Sequence, residues 1–297
     1  MSRPTGIICP LVTPLTDAEE LDEEAALRQL DRVTGRVDGL MVLGTTGELA
    51  LLRESVANRL TEVVLDRADP ALTVTLGIGD TGTARALRHL GRATGRVDFV
   101  SACSPYYYPV PESALIRHFE TLAEASPVPL VLYNIPQNTH QPIPLSTVER
   151  LSGHGNIRGI KDSSGDIGYL KELLLLSGTD FSVLQGTDER NAERYFRMGV
   201  DGYVSGLENL VPGALRALAE ALAAGADTDV PALARRVAGA ARVTQHGFWL
   251  SALKAGVGML VGGGHRPASP LPVPTGAELR QIRRCLFDLG LLDGAGK

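Results

Sequence analysis

Three features of the chain could do chemistry together. Lys161 stands at the inner end of an apolar run, "IRGIK", and a small polar loop, "DSSGD", follows at once. A charged amine is costly in such a place unless it is paired, exposed or used. Desolvation disfavours the charged form of an amine, and an unprotonated amine can attack a ketone to form a Schiff base. Position alone leaves another use open, a structural ion pair with Asp162 or Asp188. Tyr133 ends the run "PLVLYN", 28 residues earlier, or one strand–helix unit. A phenol there can move a proton to or from a substrate oxygen, although a tyrosine capping the core would look the same. The pentapeptide "GTTGE" (44–48) offers a tight turn, two hydroxyls and backbone N–H groups at what reads as a helix start. That suits a carboxylate or phosphate; a glycine turn with a threonine cap is the plainer use.

What could bring these residues to one place is an alternation of short β-rich runs with helical patterns. The runs are 7–12, 38–44, 72–79, 98–103, 129–134, 157–161, 181–186 and 201–206. Between them lie segments such as "DEEAALRQLDRVTG", "RESVANRLTEVVLDRA" and "PESALIRHFETLAEAS". Eight such units, with runs apolar enough to be covered on both faces, predict an α/β chain, a (β/α)8 TIM barrel. An open doubly wound sheet is the rival, and no GxGxxG follows the first run. After residue 206 the pattern changes. "PGALRALAEALAAG" completes the last barrel helix, and three further helical segments follow without strands, with a Gly/Pro linker at 262–275. The expected organisation is a catalytic barrel over residues 1–225 and a C-terminal helical extension over 226–297 packed on it.

In such a barrel, sites form at the C-terminal ends of the strands. Those ends carry "GTTGE", Pro105 to Tyr108, Tyr133–Asn134, Lys161 to Ser164, Gly186 to Glu189, and Ser205. Metal use is not expected: the six histidines are dispersed, with no HExxH and no paired Cys/His spacing. The composition, 44% hydrophobic and 21% charged with a net charge of -5, is that of a globular protein and favours neither nucleic acid nor an anionic membrane surface. Cys9, Cys103 and Cys285 form no CxxC pair and read as reduced, buried thiols in a cytoplasmic protein. The proline-broken N-terminus does not read as a signal peptide, and no window of about 18 apolar residues suggests a membrane span.

Together "GTTGE", "PYYY", "YNIP" and "GIKDSSGD" resemble the dihydrodipicolinate synthase / N-acetylneuraminate lyase family of class I, pyruvate-dependent aldolases, over essentially the whole chain. The resemblance implies a barrel without metal or organic cofactor, assembled as a homotetramer of tight dimers, with small-molecule substrates: pyruvate and an aldehyde, or a 2-oxo acid. It implies that Lys161 forms the imine, Thr45 and Thr46 hold the carboxylate and Tyr133 relays the proton. Tyr107 would reach across the dimer, and Gly186 and the Val204 carbonyl would line the pocket. One departure bears on the substrate. In the synthase branch an arginine usually follows the "YNxP" run and binds the semialdehyde carboxylate; here Asn138 stands in that place and bidentate recognition is lost. Asn138, Ser163, Asp188, Glu189 and Ser205 would then contact a hydroxylated substrate, a 2-oxo-3-deoxy sugar acid or 4-hydroxy-2-oxo acid. Dihydrodipicolinate synthase activity and a sugar-acid dehydratase using the same imine are the alternatives. His140, where most members have glycine, is either a substrate contact or an exposed loop residue.

Overall fold

The structure, a computed structural model, describes residues 3–226 and 228–293. Eight strands form the centre: β1 (Gly6–Pro10), β2 (Gly39–Val42), β3 (Thr73–Gly77), β4 (Phe99–Cys103), β5 (Leu130–Asn134), β6 (Ile157–Asp162), β7 (Ser182–Gln185) and β8 (Gly202–Val204). Each pairs in parallel with the next, and β8 returns to β1 through Gly6 opposite Gly202, so the sheet closes in sequence order. This is a (β/α)8 TIM barrel. Every predicted run holds a strand; most are trimmed by a residue or more at their ends, while β1 starts one residue earlier and β6 runs one residue longer than predicted.

The trimming has physical causes. β2 stops at Val42 because Leu43 takes a left-handed backbone, φ 59°, which is costly for any residue but glycine. The turn fits against β3 only because Gly77 lacks a side chain: a Cβ there would lie 2.0 Å from the Leu43 carbonyl oxygen. "GTTGE" accordingly does not open a helix. Turns occupy 45–51, and the next helix is Glu54–Arg67. The run 201–206 keeps only Gly202–Val204 as strand, since Ser205 caps a short 3-10 turn by accepting from the Leu207 N–H at 3.1 Å.

Side chains alternate across a strand, and the alternation divides the core. Ile8, Met41, Tyr133, Leu184 and Val204 point inward and pack as one inner cluster. The larger shell between strands and helices holds Ile7, Leu40, Leu132, Ile160 and Val183, and it continues into Leu253 and Val257 of the C-terminal helices. These helices are Val230–Ala241, Trp249–Val261 and Gly276–Asp288. The first of them ends at Ala241, with a 3-10 turn at Val243–Gln245 after it. The linker segment is stitched to the barrel, with the Leu15 N–H donating to the Gly264 carbonyl at 3.3 Å. No helix among the described residues is long and apolar enough to cross a membrane.

Candidate active site

Lys161 and Tyr133 face each other across the β5–β6 register. The lysine is 5% exposed. Its amine sits 3.9 Å from the centroid of the Tyr133 ring and 3.8 Å from the Met41 sulfur. Among the described residues no carboxylate pairs with it. Asp162, the next residue, points to the opposite face, where it accepts from Asn134 Nδ2 at 2.8 Å and from the Ser164 hydroxyl at 2.9 Å. Asp188 turns away on a left-handed backbone, φ 58°, and accepts from the Tyr195 phenol at 2.9 Å and from Asn191 Nδ2 at 3.0 Å. Both ion-pair partners open from sequence are thus occupied elsewhere. The amine lies on an aromatic face in a water-poor mouth, which is a place for a nucleophile.

The Tyr133 phenol and the Thr45 hydroxyl stand 3.2 Å apart, and either can donate. That bond links the predicted proton carrier to the turn predicted to hold a carboxylate. Thr45, Thr46, Tyr133, Asn138, Lys161, Ser163, Gly186, Glu189 and Val204 line one cavity of about 310 Å³. Gly186 has a demonstrable reason to be glycine: a Cβ there would lie 2.6 Å from Lys161 Cε and 2.3 Å from the Ser163 hydroxyl oxygen. A side chain at 186 would therefore push the lysine out of line.

Three predicted site residues lie outside this cavity. Asp188 serves the network just described. Ser205 is buried behind the wall and donates to Glu189 Oε1 at 2.9 Å. Tyr107 is 80% exposed on a left-handed backbone, φ 97°, with its ring edge against Tyr108 at 4.9 Å. His140 is also exposed, at the left-handed end of the short helix Pro136–Thr139, φ 55°. That conformation explains why glycine suits the position.

Glu189 brings a carboxyl group to the cavity. Burial pushes its carboxyl above the usual range, opposed by the Ser205 hydrogen bond and the nearby Lys161. Cys103, at the end of β4, is raised to about 12 by burial and stays a thiol. Sequence reasoning missed Gln137, Thr187 and Trp249, which also line the cavity. Gln137 Nε2 donates to the Ser163 carbonyl at 2.9 Å. Trp249, the one tryptophan of the chain, opens a C-terminal helix. It also borders an adjoining, more apolar chamber of about 270 Å³ with Leu49, Tyr106 and Phe248. Its type was visible, but nothing in the pattern said that the extension folds over the mouth.

Removing only the phenolic oxygen tests the proton carrier. Tyr133→Phe keeps the ring under the amine, so imine formation should survive while turnover falls by roughly two orders of magnitude or more. An unchanged rate in steady-state assays takes the phenol out of the mechanism.

The barrel, a buried lysine without a carboxylate partner among the described residues, and the tyrosine–threonine pair are the parts an imine-forming aldolase needs. The Dihydrodipicolinate synthetase family matches residues 3–259. A "4-hydroxy-tetrahydrodipicolinate synthase" of Stenotrophomonas maltophilia is 35% identical over 223 residues, 74% of each chain. The dihydrodipicolinate synthase structure of Bacteroides thetaiotaomicron is 30% identical, with a TM-score of 0.89 over 97% of this chain and 100% of that one. The prophage protein YagE of E. coli K12, a member of the dihydrodipicolinic acid synthase family solved with pyruvate, is 26% identical, with a TM-score of 0.88 over 97% of this chain and 99% of that one. The chain belongs to the dihydrodipicolinate synthetase family and is a lyase of the class I aldolase type.

Proposed function

We propose that the protein carries pyruvate as an imine on Lys161 and joins it to an aldehyde, or runs the reverse cleavage of a 2-oxo acid. The observation that carries this reading is the buried Lys161 amine, without a carboxylate partner among the described residues, resting on the ring of a tyrosine whose phenol is 3.2 Å from Thr45. The amine adds to the 2-oxo carbon, and the carbonyl oxygen leaves as water after proton transfer. The carboxylate would sit at Thr45 and Thr46, beside the Tyr133 phenol. The protonated imine then draws the electron pair released when a C3 proton is lost or the C3–C4 bond breaks, and Tyr133 moves the proton of the acceptor oxygen. Exclusion of water strengthens that stabilisation. Borohydride added to protein and pyruvate should leave a reduced pyruvyl mass on Lys161. Folded protein without the adduct overturns the proposal.

The aldehyde has two readings. The relatives' names, "4-hydroxy-tetrahydrodipicolinate synthase", back the synthase reading better than the lyase one; there pyruvate would condense with aspartate semialdehyde. The site supplies the contrary observation. Asn138 holds the place of the usual arginine, and apart from Lys161 no Lys or Arg side chain lines the cavity among the described residues. Ser163, Thr187 and Glu189 offer hydroxyls and a carboxyl instead, which suits a hydroxylated chain of a 2-oxo-3-deoxy sugar acid or 4-hydroxy-2-oxo acid. A panel of 2-oxo acids assayed for pyruvate release, beside a coupled assay with aspartate semialdehyde, separates them. Strong turnover of the semialdehyde selects the synthase, and release of pyruvate from hydroxylated acids selects the lyase. Product that keeps all its carbons and loses water would mark a dehydratase. The exposed Tyr107 supports an assembly in which its ring enters a neighbouring copy, within a homotetramer of tight dimers.

A further inference from the structure

The floor beneath the lysine is polar on one side, and the scheme above leaves those groups unused. Ser101 of β4 is paired with Val131 of β5, one inward-facing layer below Tyr133 and Lys161. Its hydroxyl is buried and has no hydrogen-bond partner among the described residues. An orphaned buried hydroxyl costs about 1–3 kcal/mol, so a barrel interior that was only packing would place an apolar side chain here. Thr75 of β3, equally buried, lines the same small void, of about 10 Å³, together with Ser101, Met41 and Lys161. That volume is at the lower end of what one water molecule needs, ~10–15 Å³, and a held water also needs two or more polar partners. Three of the residues that line the void, Ser101, Thr75 and Lys161, carry polar groups.

The lysine has a matching need. Its nitrogen has a sulfur at 3.8 Å and an aromatic face for neighbours. Once it has bonded to a 2-oxo carbon and water has left, the charged imine nitrogen keeps one N–H. Neither a thioether nor the ring is more than a weak acceptor for it.

We propose that Ser101 is a positioning residue for Lys161: with Thr75 it holds one water molecule under the lysine nitrogen, and that water accepts the N–H of the protonated imine. The hydrogen bond aims the imine and stabilises its charge, so it deepens the electron sink. The inference rests on imine formation at Lys161.

The test uses Ser101→Ala and Thr75→Val, changes that remove a hydroxyl and keep the bulk. Raman spectra of the pyruvate adduct report the hydrogen bond to the imine N–H through the C=N stretch and its shift in D2O. In Ser101→Ala the stretch should fall and its deuterium shift shrink, and borohydride trapping at subsaturating pyruvate should slow by about tenfold, the scale of a hydrogen bond to a charged group. Thr75→Val should move both in the same direction by less, and it carries the test if Ser101→Ala melts below assay temperature. A wild-type C=N stretch and trapping rate in the folded variants overturn the inference and leave the imine chemistry standing. Absence of any adduct in the unmutated protein overturns both.

Discussion

Lys161→Ala is expected to abolish the borohydride-trapped pyruvate adduct and to lower turnover by at least about three orders of magnitude, because in the proposed scheme this residue forms the covalent bond on which every later step depends. The fold should survive. The amine has no ion-pair partner among the described residues, so its removal leaves no orphaned carboxylate. It takes away a desolvated polar group whose burial is itself unfavourable. Against that stands a new cavity under Tyr133, a cost of the ordinary kind for shortening a buried side chain. Circular dichroism and a melting curve establish folding; mass spectrometry after borohydride reads the adduct. An adduct that persists on folded Lys161→Ala assigns the nucleophile to another amine. Loss of turnover with a collapsed melting curve would make the lysine structural. Tyr133→Phe provides the contrast, since it should keep the adduct and lose turnover.

The parts of this site that were legible from residues alone were those fixed by strand order. Tyr133 and Lys161 end consecutive strands, so a parallel barrel must set them side by side, and the register does so. Gly186 follows from the same logic one strand further, although its reason, the space taken by Lys161 Cε, needs coordinates. Spacing could not say where a side chain points after the strand has ended. Asp188 and Glu189 are neighbours, yet the left-handed backbone at Asp188 sends its carboxylate to Tyr195 while Glu189 lines the cavity. "GTTGE" was legible as a tight turn, but its reading as a helix start failed, because the bend at Leu43 depends on bare Gly77 in another strand. Tyr107 lies on the surface of a single chain, so its expected reach across a dimer stays part of the proposal. Contacts between the barrel and the C-terminal helices were the least legible, since no periodicity encodes them. Trp249 at the mouth and the partner of Glu48 both belong there.

That partner supports the second large prediction. Glu48, the last residue of the pentapeptide, is buried, with a left-handed backbone of φ 61°. Its carboxylate pairs with Lys254, which is fully buried in the helix Trp249–Val261, and accepts from the Ala268 N–H at 2.8 Å. Burial pushes the Lys254 amine below its usual value even with the carboxylate beside it. Such a pair contributes little net stability against apolar residues of the same size, but breaking it strands one charge. Lys254→Met alone is therefore expected to destabilise the protein by about 3–5 kcal/mol, a fall of roughly 6–10 °C in Tm for a chain of this size. The double variant Glu48→Gln/Lys254→Met keeps an acceptor for Ala268 and removes both charges, so it should regain most of the loss. Denaturant unfolding of the single and double variants measures both values. Equal stabilities in the two would show that the pair is not coupled. The consequence reaches the chemistry, since Glu48 is two residues from Thr46 and Trp249 begins the helix that carries Lys254. One buried ion pair thus ties the turn that carries Thr45 and Thr46 to the helix that Trp249 opens at the cavity, and Lys254→Met should raise the KM for pyruvate in protein that is still folded.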